Sequence, residues 1–132
     1  MALIFFVPGE PIPQGSLRRV GKRLTADNPR LKEWRRTVGL LALRARRHST
    51  LFAGPLTLHV RFTLPAPQSI PRERAGLPCV PPDLDKLTRA IGDALKGVLY
   101  QDDGQLCRIS ATKQYARQRL TVGALIVITS LT

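Results

Sequence analysis

The sequence predicts an α/β (α+β) fold of one domain, residues 1–132, with a mixed β-sheet, two main helices and the element order β-α-β-α-β-β. Two segments have apolar residues every three or four positions, other segments alternate apolar and polar residues, and the connections are rich in proline and glycine. The hydrophobic content of 43% excludes a disordered chain, and 132 residues suffice for one hydrophobic core. No stretch approaches the ~20 apolar residues of a membrane span.

The first half of the chain is predicted as a strand, a long connection and a helix. Residues 3–7 are apolar and have no basic segment before them, which predicts a β-strand rather than a signal peptide. The connection 8–28 is rich in proline, glycine and basic residues. Asp27, Asn28 and Pro29 are typical of a helix start. The apolar stripe that follows has a spacing of three or four residues and consists of Leu31, Trp34, Val38, Leu41 and Ala45.

The second half is predicted as a strand, a long connection, a helix and two strands. Residues 56–64 alternate apolar and polar side chains, which predicts a strand with one buried face. The connection 65–82 contains six prolines and leads to a helix that ends near Lys96. The apolar side of this helix carries Leu84, Leu87, Ile91, Leu95 and, after its end, Val98. Two strands, 106–115 and 119–130, complete the sheet.

The net charge of +12 and the pI near 11.2 predict a polyanionic partner, for which nucleic acid is the first choice. An anionic membrane is disfavoured because no basic amphipathic helix has a bulky aromatic face. An arginine-rich composition without a binding role stays open as an alternative. We expect DNA contacts from basic residues of the two long connections and the first helix, namely Arg18, Arg19, Lys22, Arg23, Arg35, Arg36, Arg72 and Arg74.

The acidic residues are concentrated in one window. Five of the nine lie between Asp83 and Asp103, together with three basic residues. The window therefore has a net charge of −2, and the rest of the chain carries +14. Such an acidic cluster opposes phosphate binding unless a divalent cation neutralises it. A structural role is the alternative, because an Asp before a helix is often a cap and Asp-Asp-Gly is often a turn.

The spacing of the aspartates indicates a metal site. Asp83 and Asp85 stand where an extended segment gives way to a helix, and residues two apart in extended backbone point to the same side. We expect their carboxylates to converge, with a third from Asp102 or Asp103. Mg²⁺ prefers such oxygen ligands and can activate water for phosphodiester hydrolysis. Arg89, one helical turn beyond Asp85, is predicted to hold the scissile phosphate or orient a ligand carboxylate.

The segment 82–106, P-D-L-D-K-L-T-R-A-I-G-D-A-L-K-G-V-L-Y-Q-D-D-G-Q-L, resembles the signature of the RusA-type Holliday junction resolvases, a family common in phages and prophages. In that family D-L-D-N-L, a downstream D-A-L and then D-D-x-Q follow one another at similar spacing. Outside this segment the likeness lies in length, basic character, element order and an early Gly-x-Pro-x-Pro motif at Gly9–Pro13.

The resemblance implies a site and an activity. It implies that Asp83, Asp85 and Asp103 are the metal-binding catalytic carboxylates, with Asp102 beside them as a further candidate ligand. It also implies an α/β homodimer that binds four-way junctions and introduces paired nicks with Mg²⁺ or Mn²⁺. A dimer is physically reasonable because each chain has one carboxylate cluster, so two symmetric cuts require two chains around a twofold axis.

Two residues depart from the family pattern. Lys86 stands where the family usually has Asn, and Arg89 stands where it has a functionally important Lys. A guanidinium can bind phosphate but does not serve as a proton donor near neutral pH. Arg89 therefore keeps the positive charge without the acid chemistry of a lysine. Asp93, one turn further along the helix, is expected to pair with Arg89.

Cys79 and Cys107 lack the spacing of a zinc site, and a secreted disulfide scaffold would carry more cysteines. We expect both to be reduced thiols in core positions of a cytoplasmic protein. The leading hypothesis is a structure-selective, Mg²⁺-dependent DNA endonuclease that resolves Holliday junctions. Two alternatives are a metal-dependent nuclease for a broader range of branched DNA and a non-catalytic basic nucleic-acid-binding protein whose acidic cluster is structural.

Overall fold

The computed structural model describes residues 1–15, 18–20, 23–25, 28–69 and 76–131. Its main elements are a mixed four-stranded sheet, a two-stranded hairpin and two helices. The predicted fold class and the order β-α-β-α-β-β are confirmed, with the hairpin as an addition. In chain order the elements are β1 (Ala2–Pro8), β2 (Arg18–Val20), β3 (Arg23–Thr25), α1 (Pro29–Arg46), β4 (Leu56–Leu64), α2 (Leu84–Leu95), β5 (Leu106–Tyr115) and β6 (Gly123–Ser130).

The sheet has the strand order β1-β6-β4-β5. Strand β6 is antiparallel to both β1 and β4, whereas β4 and β5 are parallel. Parallel neighbours need a crossover connection, and α2 lies on the connection between β4 and β5. Helix α2 is thereby brought to the β5 side of the sheet, where β5 is an outer strand.

The two helices bury their apolar sides against one face of the sheet. Helix α1 begins where the sequence predicts, because the Asn28 side chain accepts a hydrogen bond from the Arg30 backbone N at 3.0 Å and Pro29 occupies the first turn. Leu87 and Ile91 of α2 are fully buried in the hydrophobic core that also contains the inward-facing residues of β4. Helix α2 ends at Leu95, and Gly97 adopts a left-handed φ of 82°, which favours glycine after a helix.

Several sequence predictions need correction. The connection 8–28 contains the hairpin of β2 and β3, which its proline and glycine content concealed. The last strand begins at Gly123 because Arg119–Thr121 forms a 3₁₀ turn. In α1 Ala42 is buried, whereas Leu41 and Ala45 are half-buried, since the apolar stripe drifts around the helix.

The core position expected for the two cysteines is wrong: Cys79 and Cys107 are free and exposed. Cys107 lies at the start of β5, whose outward residues face solvent, and Cys79 lies in the connection before α2. Within the described ranges, no helix has the length and apolar character needed to cross a bilayer.

Candidate active site

An open groove of about 840 Å³ lies between α2 and β5. Its floor is apolar and is formed by Leu58 of β4 with Ile109 and Ala111 of β5. Polar residues of α2 and of the turn before β5 form its walls, namely Asp85, Thr88, Arg89, Asp93 and Asp103. Three predicted catalytic residues, Asp85, Arg89 and Asp103, therefore share one groove.

Asp85, Arg89 and Asp93 reach the groove together because they follow one another at four-residue intervals on α2. Asp103 reaches it from the other side, as the first residue of a 3₁₀ turn, Asp103–Gln105, that leads into β5. The site is therefore assembled from a helix face and a turn that lie apart in the sequence and meet across the end of the parallel pair β4 and β5.

The expectation that Asp83 and Asp85 both lie in extended backbone is wrong. Asp83 is extended (φ −72°, ψ 135°) and stands at the N-cap, but Asp85 already belongs to the first turn of α2. Residues two apart in a helix point in nearly opposite directions, since each residue advances about 100° around the axis. Asp85 lines the groove and Asp83 is not among its lining residues. The exposed Asp83 carboxylate makes no cap hydrogen bond and lies 3.9 Å from Nζ of Lys86.

Asp102 and Gln105 hold the turn that carries Asp103. Oδ1 of Asp102 accepts a hydrogen bond from the backbone N of Gly104 at 3.0 Å. Oε1 of Gln105 accepts from the backbone N of Gln101 and of Asp102, each at 3.1 Å. This reciprocal arrangement is a capping box, in which two side chains satisfy backbone groups of one turn.

Gln105 also ties the turn to the segment before β4. Its Nε2 donates to the backbone O of Phe52 and of Gly54, both at 3.0 Å. All four of these hydrogen bonds use the amide of a single side chain. The residues of the D-D-x-Q motif therefore have two different roles. Asp102 and Gln105 stabilise the turn, whereas Asp103 lines the groove.

Tyr100 is a buried residue beside the site that the sequence did not point to. Its hydroxyl donates to the backbone O of Gly92 at 3.2 Å, and the side chain is fully buried. Burial raises the pKa of Tyr100, and the negative charges of Asp103 and Asp93 raise this pKa further. The phenol therefore keeps its proton around neutral pH. The only sequence signal is an aromatic residue close before the Asp pair.

Asp93 pairs with Arg35 of α1 rather than with Arg89. Nη1 of Arg35 lies 3.8 Å from Oδ2 of Asp93 and also donates to Oε1 of Gln14 at 3.3 Å. In the part of the chain that the structure describes, Arg89 has no acidic partner within 4.0 Å. The exposed guanidinium of Arg89 is thus available to an anion that enters the groove.

Lys113 of β5 holds the chain immediately before α2, a role that no sequence pattern indicated. Its Nζ donates to the backbone O of Val80 and of Pro82, both at 2.9 Å. These bonds join the strand after the Asp103 turn to the residues that lead into Asp83 and α2. They fix the approach of the chain to the helix without using any acidic side chain.

The predicted DNA contacts fall into three groups. Arg18, Arg19 and Arg23 belong to the hairpin strands, while Lys22, Arg72 and Arg74 lie outside the described residues. On α1, Arg36 is exposed and Arg35 is engaged with Asp93 as described above. The backbone N of Gln14 donates to the backbone O of Lys86 at 3.0 Å, so the segment that leads to the hairpin contacts the first turn of α2.

The groove has donors that suit a hard divalent cation. Asp85 and Asp103 offer carboxylate oxygens, and Mg²⁺ is usually bound by one or two protein carboxylates together with water and phosphate. The pair therefore fits Mg²⁺ by its chemistry. Among the described residues, no three His, Cys, Asp or Glu side chains are close enough together to form a complete protein cage for a metal.

The model of the endodeoxyribonuclease RusA family matches residues 8–123, which is most of the chain. The chain belongs to the RusA endodeoxyribonuclease family. The likeness to RusA proteins thus extends well beyond the segment 82–106 and includes the hairpin and α1. A curated relative, the uncharacterized protein YqaN of Bacillus subtilis (strain 168), is 32% identical over 126 residues, covering 86% of this chain and 88% of the relative.

Proposed function

We propose that this RusA-family chain is a Mg²⁺-dependent endonuclease that resolves Holliday junctions by paired nicks and acts as a homodimer. The observation that carries the proposal is the meeting of Asp85, Arg89 and Asp103 in one open groove of a strongly basic protein. Mn²⁺ is expected to substitute for Mg²⁺, since both accept oxygen ligands.

Asp85 and Asp103 would hold the ion, which when bound supplies an activated water and stabilises charge on the leaving oxygen. Arg89 binds and orients the scissile phosphate through its guanidinium. It acts as a fixed cation rather than as a proton donor, because a guanidinium does not lose its proton in a protein. The basic residues of the hairpin and of α1 hold the DNA arms by their phosphates.

Asp83 and Asp102 enter the proposal as ligands on the family resemblance. Asp83 has an exposed carboxylate next to the first turn of α2, and a side-chain rotation would be needed to bring it to the groove. Asp102 has one carboxylate oxygen engaged by Gly104, which leaves the other oxygen for a metal. The two residues differ in what else they do, because Asp102 caps the turn and Asp83 makes no cap hydrogen bond.

The homodimer follows from counting sites. One chain offers one such groove in its described residues, and a Holliday junction is resolved by two symmetric cuts. Two chains related by a twofold axis would present two grooves to strands of like polarity. The same twofold would place two sets of basic residues along the arms of the junction.

The test is cleavage of a labelled synthetic four-way junction with Mg²⁺ by the wild type, Asp103→Asn and the matched control Glu33→Gln. Glu33 is an exposed acidic residue of α1 that does not line the groove. We expect paired symmetric nicks from the wild type and Glu33→Gln. Asp103→Asn should cut roughly 1000-fold more slowly than the wild type. This loss exceeds the ~10–100-fold that is typical when a residue that only hydrogen-bonds to a metal ligand is replaced.

Binding of the same junction separates the alternatives. Asp103→Asn should bind at least as tightly as the wild type, because a negative charge near phosphate has been removed. If the wild type binds junctions but leaves them intact with both Mg²⁺ and Mn²⁺, the protein is a non-catalytic nucleic-acid-binding module. If forks and flaps are cut as fast as four-way junctions, it is a nuclease for branched DNA in general.

A further inference from the structure

We propose that the apolar floor of the groove is a nucleobase subsite, which binds the face of an unstacked base next to the phosphate that is cut. The inference rests on the proposed endonuclease function and deepens it, because it names the part of the substrate that the floor contacts. The floor residues Leu58, Ile109 and Ala111 lie outside the charged residues assigned to the metal and the phosphate.

Ile109 is an apolar side chain left open on the side of the sheet that the helices otherwise cover. It pairs in register with Leu58 of β4, so both side chains point to that side of the sheet. Leu58 is 1% exposed, whereas Ile109 is 53% exposed. The difference arises because β4 lies inside the sheet, whereas β5 is an outer strand that α2 leaves partly uncovered.

The groove is fixed at both ends, so its floor is formed before a ligand arrives. At one end, the hydrogen bonds of Gln105 hold the turn that leads into β5. At the other end, Lys113 of β5 donates to two carbonyls of the chain just before α2, so α2 and β5 run in opposite directions. Ile109 lies four residues after Gln105 and four before Lys113. Arg89, near the middle of α2, lines the same groove as this midpoint of the floor.

The chemistry of the groove suits a ligand that is anionic at one end and apolar at the other. Arg89 on the wall is available to an anion, whereas Ile109 and Ala111 on the floor carry no charge. A nucleotide combines the two properties, because one sugar joins its phosphate to a base whose faces pack on apolar side chains. The groove volume of about 840 Å³ lies within the ~300–1,000 Å³ of small-molecule sites.

A subsite for the face of a base would make the enzyme selective for DNA structure. Inside a regular duplex both faces of a base are stacked on neighbouring bases. Taking a base out of the stack costs least where its pairing or stacking is already disturbed, as at a branch point. Contact with the apolar floor offsets part of this cost. A scissile phosphate beside a branch point should therefore enter the groove more readily than one in an uninterrupted duplex.

Ile109→Gln tests the proposal because it replaces apolar surface with an amide at an exposed position. The measurement is the single-turnover cleavage rate with Mg²⁺ on a fixed four-way junction whose cut position has been mapped. Two further junctions carry an abasic nucleotide, one on the 5′ side and one on the 3′ side of the scissile phosphate. We expect Ile109→Gln to cut the intact junction roughly 10-fold more slowly than the wild type, because the apolar contact of one side chain is lost.

The abasic junctions separate contact with a base from a general structural role. On the junction that lacks the contacted base, the wild type and Ile109→Gln should cut at equal rates, since neither can make the contact. Equal slowing by Ile109→Gln on all three junctions would mean that Ile109 only supports the fold, and the proposal would be wrong. The matched control is Ile4→Gln, at an isoleucine of β1 that is 65% exposed on the opposite edge of the sheet. It should cut like the wild type.

A second readout follows the base itself. The fluorescence of 2-aminopurine rises when it leaves the stack, and it is placed at the nucleotide that the abasic junctions identify. In the Asp103→Asn protein, which should bind the junction with little cleavage, fluorescence should rise on binding with Mg²⁺. Adding Ile109→Gln should remove most of the rise, and adding Ile4→Gln should preserve it. No rise with Asp103→Asn alone contradicts the proposal.

The competing occupant of the floor is a second copy of this chain. Sedimentation equilibrium tests it: if Ile109→Gln lowers the mass of the wild-type assembly, the floor is a contact between protomers and the subsite proposal is wrong. A wild type that cuts four-way junctions but shows equal slowing on all three substrates overturns this inference alone. A wild type that leaves branched DNA intact overturns the proposed function and this inference together.

Discussion

The protein contains two pairs of neighbouring aspartates, and each pair sends one carboxylate to the groove. In the first pair Asp85 lines the groove and Asp83 does not; in the second Asp103 lines it and Asp102 does not. The pairs differ in what the other aspartate does. Asp102 caps the turn through a hydrogen bond to Gly104, whereas Asp83 stands at a helix cap without making a cap bond.

The difference shows that two similar acidic motifs are supported by different means. The turn with the second pair is held by its own side chains, above all by the four hydrogen bonds of Gln105. The entrance to α2 with the first pair is held from outside, by Lys113 on the backbone of Val80 and Pro82. A substitution of the non-groove aspartate should therefore affect stability in the second pair and leave it nearly unchanged in the first.

The sharpest test within the first pair compares Asp85→Asn with Asp83→Asn. We expect Asp85→Asn to reduce junction cleavage roughly 1000-fold, because a proposed direct metal ligand is lost, and Asp83→Asn to reduce it by less than the ~10–100-fold typical of outer partners. Rates are measured with Mg²⁺ under single-turnover conditions. An equal loss in Asp83→Asn would mean that its side chain turns into the groove when metal binds, and the two members of this pair would then be equivalent.

A basic residue that lines the groove, Arg89, lies one helical turn beyond Asp85 of the first pair, and no basic residue lines the groove beside Asp103 in the turn of the second pair. We expect Arg89→Gln to reduce cleavage about 100-fold, as when one group that stabilises transition-state charge is removed. Arg89→Lys should stay within about 10-fold of the wild type, since it keeps the charge and loses the bidentate geometry. Cleavage rates across the pH range decide this. A new pH-dependent limb in Arg89→Lys would show that a proton donor at this position contributes to the rate.

Gln105→Ala tests whether the second pair depends on its own turn. It removes four hydrogen bonds, some of them exposed, and we expect a loss of about 2 kcal/mol in the free energy of unfolding. Urea unfolding measures it. Gln101→Ala is the matched control, because Gln101 takes part through its backbone N, which the substitution keeps. Equal stability of the two variants would contradict the bracing role of Gln105.

The smallest effect is expected for Asp102, and two substitutions there separate its role as a turn cap from a role as a metal ligand. Asp102→Ala removes the cap and should lower stability by about 1 kcal/mol, whereas Asp102→Asn keeps an acceptor oxygen for Gly104 and should preserve stability. Cleavage by Asp102→Asn should remain within a few-fold of the wild type. A loss comparable to that of Asp103→Asn would make Asp102 a metal ligand in addition to a cap.

Patterns of a few neighbouring residues in the sequence predicted those helices and strands whose stabilising contacts lie within the same segment. The helix start at Asn28 and Pro29 and the alternation of residues 56–64 are both confirmed. The prediction for Asp83 and Asp85 failed because the helix begins between them, so a rule for extended backbone was applied across a boundary.

Contacts across long stretches of sequence could not be predicted. Lys113 reaches carbonyls 33 and 31 residues away, and Gln105 reaches carbonyls 53 and 51 residues away. Tyr100 was overlooked because its burial and its hydrogen bond to the Gly92 backbone O depend on how the segment after α2 packs against the helix. The family motif marked the acidic residues but gave no information on the groups that orient them.

The ammonium of Lys113 is committed to two main-chain carbonyls, so it contributes to the formal charge of +12 without being free to displace an ion from DNA. Each protein–phosphate contact releases condensed counterions, and the logarithm of affinity falls with the logarithm of salt concentration by about 0.9 per contact. The dependence of junction affinity on salt concentration should therefore correspond to fewer phosphate contacts per chain than the net charge of the protein suggests. Lys113 is one of the cations that should not contribute to this dependence.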